Sequence, residues 1–242
     1  MLTLLTFPDS FGAPSHSPYC VKAMSLLQMS GLKWQPEYMQ DPRKMPLSRL
    51  PVLRDSDQLI PDSTHIQMHL EKCGIDFNAG LSDVDKARAH ALVQMTEAGL
   101  YNILVTYRWL NDESWEHTRK AFFSGIPALI RGPLTRKLRK GVRAKMMANG
   151  IAQFSETQRV EQMKRDLNAL SIQLDDQTFL FGDTPTAADA AIAPVLDMIL
   201  NLPVDTGARA LLRGWDGLPA YVARVRAAIY PGGTAVTLSV AA

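Results

Sequence analysis

The spacing of apolar residues changes about one third of the way along the chain. Near the start, a short β-competent run at Leu2–Phe7 is followed by a stretch with helical spacing. The apolar residues of that stretch recur at i, i+3, i+4 and i+7: Cys20, Ala23, Met24 and Leu27. From about Ser82 onward the spacing is helical throughout. This change predicts a mixed α/β domain followed by an all-helical domain.

In the first domain the pattern predicts the order β-α-β-loop-β-β-α. A second strand is expected over Leu32–Met39, a loop over Gln40–Arg49, and a hairpin from Val52–Asp55 and Gln58–Ile60. Asp62 can cap a last helix that Gly74 stops. The buried stripe of this helix is expected at Ile66, Leu70 and Cys73. We assign residues 1–75 to this domain.

The second domain is expected to occupy residues 82–242. Ser82 and Asp85 form a capping-box-like start to a long helix that runs toward Trp109. Thr186 and Asp189 bracket the start of a later apolar helix, and a short final helix is expected over Pro219–Ile229. Between them, apolar residues with a 3-4 spacing predict a packed helix: Val160, Met163, Leu167, Leu170 and Leu174.

Charge and cysteine content narrow the class of protein. The formal net charge is +2, which does not favour nucleic-acid binding by charge alone. The chain has no run of about 18 apolar residues, and its apolar start lacks the basic flank of a signal peptide. Two cysteines supply neither a disulfide framework nor a zinc site of their own. We therefore expect a soluble cytoplasmic protein without a metal.

Ser17 is the main candidate for chemistry, because Pro18 suits the first turn of a helix and places Ser17 at its N-cap. Unpaired N–H groups and the positive end of the helix dipole stabilise an anion there, including a thiolate. Alternatively, Ser17 is only a cap, which is the commoner role of serine at this position. Cys20, one turn later, is expected to be a small buried hydrophobe.

Two further segments could hold a ligand. If the Leu50–Pro51 bond is cis, the backbone before Pro51 turns outward and offers an N–H and a C=O to a ligand backbone. Asp62 and Ser63 follow a short strand and open a helix, so that N–H groups and the Ser63 hydroxyl could bind a carboxylate. Taken singly, the commoner alternatives are a trans proline in a loop and a simple cap.

The segment Arg131–Lys145 is basic and contains no acid. Its cations are Arg131, Arg136, Lys137, Arg139, Lys140, Arg143 and Lys145, above an apolar stripe of Leu134, Leu138, Val142 and Met146. Such a segment could dock on an anionic membrane or a phosphate-bearing ligand. We favour a solvated amphipathic helix of the second domain, which is the common case.

Taken together, these segments resemble the glutathione S-transferase superfamily over nearly the whole chain. The resemblance rests on Ser17–Cys20, Leu50–Val52, Asp62–Ser63 and the capping-box segment Gly182–Asp189. It is similar in detail to the metaxin-like or failed-axon-connections-like branch, in Phe122–Ala128 and Phe179–Asp189. The resemblance implies a thioredoxin-like α/β N-terminal domain and an all-α C-terminal domain.

The resemblance also implies a site for glutathione. Ser17 would donate its hydroxyl to the glutathione thiolate, and Pro51 would be the cis-proline, with the Val52 backbone paired to the cysteinyl moiety. Asp62 and Ser63 would hold the γ-glutamyl end, and Lys44 and Arg49 the glycyl carboxylate. Two features depart from the family pattern: Asp62 stands where Glu or Gln is commoner, and positions 5–8 lack the usual catalytic Tyr.

Three functions follow as hypotheses. The favoured one is a detoxifying glutathione transferase, a homodimer by resemblance, that conjugates or reduces small hydrophobic electrophiles. Their pocket would lie between the domains and be lined by some of Tyr101, Tyr107, Trp109 and Trp115. The alternative is a non-catalytic, metaxin-like scaffold for protein or membrane-surface association through residues 131–145. A glutaredoxin-like oxidoreductase is disfavoured, because Ser17 replaces the first cysteine that dithiol exchange needs.

Overall fold

The computed structural model describes residues 1–231. Its sheet has four strands in the order β2-β1-β3-β4. They are listed here with their bounds: β1 Leu2–Thr6, β2 Trp34–Tyr38, β3 Val52–Asp55 and β4 Gln58–Pro61. Strand β1 is parallel to β2 and antiparallel to β3, and β3 forms a hairpin with β4. The predicted order of elements in this part of the chain is confirmed.

Two helices complete this unit, α1 (Pro18–Met29) and α2 (Ser63–Lys72). Proline at the first position of α1 costs no hydrogen bond, and the predicted apolar face of α1 is fully buried. In α2, Ile66 and Leu70 are buried as expected. The prediction for Cys73 was wrong: α2 ends at Lys72, so Cys73 is the C-cap and its side chain is exposed.

All remaining regular elements in the described part of the chain are helical. They are α3 Asp83–Met95, α4 Tyr101–Leu110, α5 Asp112–Phe123, α6 Ala128–Asn149, α7 Glu156–Leu174, α8 Ala187–Leu200, α9 Gly207–Arg213 and α10 Leu218–Ile229. The Ser82 side chain caps α3 by accepting from the Asp85 N–H. One turn of π-helix, Thr96–Leu100, separates α3 from α4 within the long helix that the sequence predicts.

The core of the helical part is organised around the Asp189 carboxylate, which is buried at the start of α8. It accepts hydrogen bonds from the N–H and the hydroxyl of Thr186, at 2.7 and 2.8 Å, which confirms the predicted fold-stabilising contact. It also accepts from the Leu180 N–H at 3.1 Å and from the Tyr221 hydroxyl at 2.9 Å. One carboxylate thereby ties the loop before α8 to α10.

The α/β unit and the helices meet along α1. Helix α1 packs against α8, and Ala187 and Ala190 of α8 join the hydrophobic core beneath the sheet. An ion pair adds a polar contact, since the buried Lys22 of α1 lies 2.8 Å from the half-buried Glu97 in the π-helical turn. Within residues 1–231, no helix combines the length and the apolar character that a membrane span requires.

Candidate active site

A cleft of about 590 Å³ opens between the end of the sheet and the helices. From the α/β unit it is lined by Ser17, Tyr19, Arg49, Leu50, Pro51, Asp62 and Ser63. From the helices it is lined mainly by Tyr101, Arg108, Trp109, Phe122 and Phe123. A volume of this size suits a small peptide or drug-sized ligand. Three segments that are far apart in the sequence, around Ser17, Pro51 and Ser63, therefore meet at one cavity.

Ser17 occupies the N-cap position of α1 with extended backbone angles, φ −109° and ψ 127°. Its side chain makes no capping hydrogen bond, in contrast to the ordinary role of an N-cap serine. The loop before it is braced by a hydrogen bond of 2.9 Å from the His16 N–H to the Pro8 carbonyl. The Ser17 hydroxyl is thus held at the cleft without serving as a helix cap.

The electrostatic surroundings of Ser17 favour an anion. The first turn of α1 contains no acidic residue, so that nothing on the helix itself offsets the positive end of its dipole. The nearby Cys20 thiol is not a competing nucleophile. It is completely buried, and burial raises its pKa even though hydrogen bonds from the Phe7 backbone and from the Thr6, Ser15 and Ser17 side chains favour the thiolate.

The Leu50–Pro51 peptide bond is cis. The Pro51 carbonyl accepts a hydrogen bond of 3.0 Å from the Asp62 N–H, which joins the loop to the end of β4. Neither the N–H nor the C=O of Leu50 is hydrogen-bonded within residues 1–231. Because Leu50 lines the cleft, these two groups are available to an extended ligand backbone.

Asp62 and Ser63 lie at the start of α2, next to the cis-proline. Asp62 has a φ of 77°, which few residues other than glycine adopt, and its carboxylate accepts from the Thr64 N–H at 3.0 Å. Strained backbone of this kind is common at ligand sites. The Ser63 side chain is buried and makes no hydrogen bond within the described residues. Arg49 lies 3.6 Å from Asp62 at the rim of the cleft.

The structure does not bring every predicted binding residue to the cleft. Lys44 lies in a short 3-10 helix, Pro42–Lys44, with its side chain exposed and away from the cavity. Val52 lies inside the sheet, where its backbone pairs with Leu5 on one side and Pro61 on the other. The unpaired backbone is therefore at Leu50, two residues earlier.

Aromatic side chains form the helical wall of the cleft, as the sequence indicates for Tyr101 and Trp109. Tyr101 contacts Tyr19 edge to face, with the ring centroids 4.8 Å apart. The other two candidates, Tyr107 and Trp115, do not line the cleft and are buried in the protein instead. The Tyr107 hydroxyl donates to Glu156 at 3.2 Å, and Trp115 lies beneath the Arg139 guanidinium.

Two buried residues that line the cleft are not among the predicted site residues: Arg108 of α4 and His16, in the loop before α1. Arg108 is 5% exposed, and it has no carboxylate within salt-bridge distance among the described residues. His16 is buried with its ring stacked on Phe122 at 4.1 Å, and burial lowers its pKa to about 4, assisted by the charge of Arg108. The available signal for Arg108 was a single charge inside an otherwise uncharged and mostly apolar run, Leu104–Leu110.

Comparison with known families agrees with this geometry. A model of the glutathione S-transferase N-terminal domain matches residues 18–115, and a model of the glutathione S-transferase C-terminal domain matches residues 163–225. The chain belongs to the glutathione S-transferase family. The family fold, a small mixed sheet domain followed by a helical domain, is the one described above.

Individual relatives cover most of the chain. An isoprene-epoxide glutathione S-transferase from Rhodococcus sp. (strain AD45) is 29% identical over 93% of this chain and 98% of its own length. Metaxin-1 from Macaca fascicularis is 24% identical over 95% of this chain and 75% of its own length. The Drosophila melanogaster protein called failed axon connections is 28% identical over 79% of this chain and 48% of its own length. The relatives of this chain therefore include both a transferase and members of the metaxin-like branch.

Solved structures confirm the fold. A glutathione transferase from Phanerochaete chrysosporium superposes with a TM-score of 0.65 at 15% identity, over 93% of this chain and 96% of that one. The apo form of human glutathione S-transferase T1-1 gives a TM-score of 0.57 at 17% identity, over 95% of this chain and 84% of that one.

Proposed function

We propose that this chain is a glutathione transferase that attaches the sulfur of glutathione to small hydrophobic electrophiles. The observation that carries the proposal is the single cleft at which the Ser17 hydroxyl, the unpaired Leu50 backbone and the Ser63 hydroxyl meet. A thiol peptide can use all three: its sulfur would lie at Ser17, its backbone along Leu50, and a carboxylate at the start of α2.

In this proposal the thiolate is the nucleophile, and Ser17 increases its concentration. A hydroxyl that donates to the thiolate stabilises the charged form, which lowers the pKa of the thiol. The N-terminus of α1 acts in the same direction. Tyr19 is less suited to this role, because burial raises the pKa of its hydroxyl and because it packs against Tyr101.

The aromatic wall supports an apolar second substrate. Trp109, Phe122 and Phe123 form one cluster with ring centroids 6.2 to 6.4 Å apart, next to Tyr101. Epoxides are the first electrophiles to examine, because the relative from Rhodococcus is named for an epoxide. Reduction of an electrophile with glutathione is a further reaction of the same proposal.

The test is a reaction panel that separates conjugation from reduction. The purified protein is incubated with glutathione and, separately, an aryl epoxide, an aryl halide and an organic hydroperoxide, and products are identified by mass spectrometry. Enzyme-dependent glutathione adducts of the epoxide or halide support conjugation, and oxidised glutathione formed from the hydroperoxide supports reduction. If no substrate reacts faster than in the absence of protein, the proposal of catalysis is contradicted.

A second candidate is a non-catalytic scaffold, which the similarity to metaxin-1 supports, and the surface of α6 suggests a membrane surface as its partner. The start of α6 exposes two large apolar side chains, Leu129 (93%) and Ile130 (56%). The side chains of Arg136, Lys137 and Lys140 are exposed on the same helix, whereas Arg139 pairs with Asp112 at 2.6 Å. Sedimentation with anionic vesicles that weakens at high salt would support this candidate. No sedimentation at low salt would exclude it.

We also propose, from the family resemblance, that the protein is a cytoplasmic homodimer. Analytical ultracentrifugation tests the assembly directly. A mass of about twice the 26.8 kDa of one chain supports the dimer, and the mass of a single chain contradicts it.

A further inference from the structure

Arg108 is a buried cation without a buried anion. Its Nη1 donates to the His16 carbonyl at 2.9 Å and approaches the Met198 sulfur at 3.7 Å. Its Nε is buried with no hydrogen-bond partner, and no bond from Nη2 is found within residues 1–231. Taking a guanidinium out of water without pairing it is costly, so this arrangement calls for a partner from outside the chain.

Both carboxylates that line the cleft are already paired, and the remaining lining cation, Lys145, is exposed to solvent. Of the two carboxylates that line it, Asp62 lies 3.6 Å from Arg49, and Glu97 lies 2.8 Å from Lys22. Neither is within salt-bridge distance of Arg108. Burial lowers the pKa of Arg108 to about 10, so the guanidinium still carries its charge near neutral pH.

The surroundings of the guanidinium are apolar and aromatic. The Phe11 and Phe122 rings lie 5.9 and 5.5 Å from its central carbon, and Trp109 lines the same cavity. The neighbouring His16 ring, with its pKa of about 4, adds no positive charge near neutral pH. Hydrogen bonds to an anion are strongest where water is excluded. A single unpaired guanidinium here can therefore bind a negatively charged ligand much more tightly than a neutral one of the same shape.

We propose that Arg108 forms an oxyanion subsite in the cleft, which binds one negatively charged oxygen of an otherwise apolar ligand. Its position relative to Ser17 suits this role, since the bond from Nη1 to the His16 carbonyl holds the guanidinium against the residue that precedes Ser17. The oxygen can be carried by the ligand as a carboxylate, or it can arise during the reaction at an epoxide. The second source rests on the proposed transferase function.

The reaction step is the opening of the epoxide ring. The glutathione thiolate attacks a ring carbon, so that a C–S bond forms while the C–O bond breaks and its electron pair goes to the oxygen. Arg108 donates to the resulting alkoxide, which then takes a proton from water. The hydroxide left behind is neutralised by the proton that glutathione released when its thiol ionised. Preorganised donors at a developing oxyanion stabilise the transition state more than the ground state.

The first arm of the test needs no glutathione. Tryptophan fluorescence is titrated with biphenyl carboxylate and with the matching neutral carboxamide in the wild type, Arg108→Met and Arg108→Lys. The matched control is Arg159→Met, because Arg159 also lies over an aromatic ring, that of Tyr107, with a buried Nε that lacks a partner, but outside the cleft. We expect the wild type and the control to prefer the carboxylate by about tenfold or more. Arg108→Met should lose this preference, and Arg108→Lys should keep part of it.

The second arm measures conjugation of an aryl epoxide. We expect Arg108→Met to lower kcat by about 100-fold with the KM for glutathione unchanged, and Arg159→Met to match the wild type. If Arg108→Met loses the carboxylate preference but keeps its kcat, the anion is a carboxylate carried by the ligand. If it loses kcat but keeps the preference, the anion is the oxygen of the opened epoxide. If neither the carboxylate preference nor kcat changes in Arg108→Met, the subsite is overturned. A wild type without turnover contradicts the proposed function, while the first arm still decides the subsite.

Discussion

Arg108 of α4 donates a 2.9 Å hydrogen bond to the carbonyl of His16, in the loop that ends at Ser17. This bond connects the two parts of the molecule at the cleft: a helix-borne guanidinium fixes the peptide that leads into the candidate catalytic serine. The loop is further held by the stacking of His16 on Phe122 of α5. The position of Ser17 is therefore set by both units, and the charge beside it comes from the helical unit.

Ser17→Ala separates a catalytic role from a capping role. Because the Ser17 side chain makes no cap hydrogen bond, we expect the variant to unfold with nearly the same free energy as the wild type. We also expect its conjugation rate to fall by roughly 100-fold, since a donor to the thiolate is lost. Both quantities are measured on the same preparation, by denaturant unfolding and by initial rates.

Ser155→Ala is the matched control for Ser17→Ala. The Ser155 side chain accepts from the Gln158 N–H in a complete capping box at the start of α7, far from the cleft. Its removal should lower the free energy of unfolding by about 1 kcal/mol and leave the rate unchanged. Full activity of Ser17→Ala combined with a loss of stability would mean that Ser17 is only a cap.

Asp189→Ala should destabilise the helical part severely. The substitution leaves the donors of Thr186, Leu180 and Tyr221 buried without an acceptor, so we expect the free energy of unfolding to fall by about 3 kcal/mol or more. Denaturant unfolding followed by circular dichroism measures the change. Asp183→Ala, six residues earlier, removes a carboxylate whose one hydrogen bond within residues 1–231 is from the Thr178 hydroxyl at 3.4 Å, and it should change stability by less than about 0.5 kcal/mol. Equal effects of the two variants would contradict this account of the α8 start.

The buried His16 ring should make stability depend on pH. Its pKa is lowered from 6.5 to about 4 on folding, so the unfolded chain binds more protons between these values. The contribution of the neutral His16 ring to the free energy of unfolding is fully present above about pH 6.5. It decreases as the pH falls toward about 4, by an amount on the order of 3 kcal/mol. His16→Asn should remove this part of the acid loss, whereas His117→Asn, at an exposed position, should keep it. Parallel pH profiles of the wild type and His16→Asn would count against the prediction.

Two buried cations, Lys22 and Arg108, should lose different amounts of stability when each is replaced by methionine. Lys22→Met leaves the Glu97 carboxylate without its partner, so we expect a loss of about 3 kcal/mol in the free energy of unfolding. Arg108→Met removes a charge that no carboxylate of the described chain neutralises, although it also leaves the His16 carbonyl without its donor, so we expect a smaller loss of about 1 kcal/mol or less. Urea unfolding of the two variants measures the difference, and a larger loss for Arg108→Met would contradict the idea that this charge is kept for a ligand.

Periodicity was sufficient for the α/β unit. The spacing from Cys20 to Leu27 predicted the buried face of α1, and the strand pairs around Ser56 predicted the hairpin. These features depend on local repetition, which the sequence displays directly. The cis bond at Pro51 came from resemblance alone, because an isolated X-Pro bond is usually trans.

The helical wall of the cleft was less predictable. Tyr101 and Tyr107 have the same chemistry and lie six positions apart on one helix, yet only Tyr101 faces the cavity. The difference arises from packing: Tyr107 turns toward Glu156 of α7, a contact between distant segments that no local pattern reports. Arg108 is similar, because its burial depends on Phe11 and Met198 from other parts of the chain.

Calorimetric titration with glutathione tests the central claim most directly. The account predicts saturable binding at one site per chain, with a dissociation constant at or below about 1 mM, and markedly weaker binding in Ser63→Ala. Ser155→Ala, outside the cleft, should bind as the wild type does. Wild-type protein that gives no saturable heat with glutathione up to about 10 mM would contradict the assignment of this cleft to glutathione.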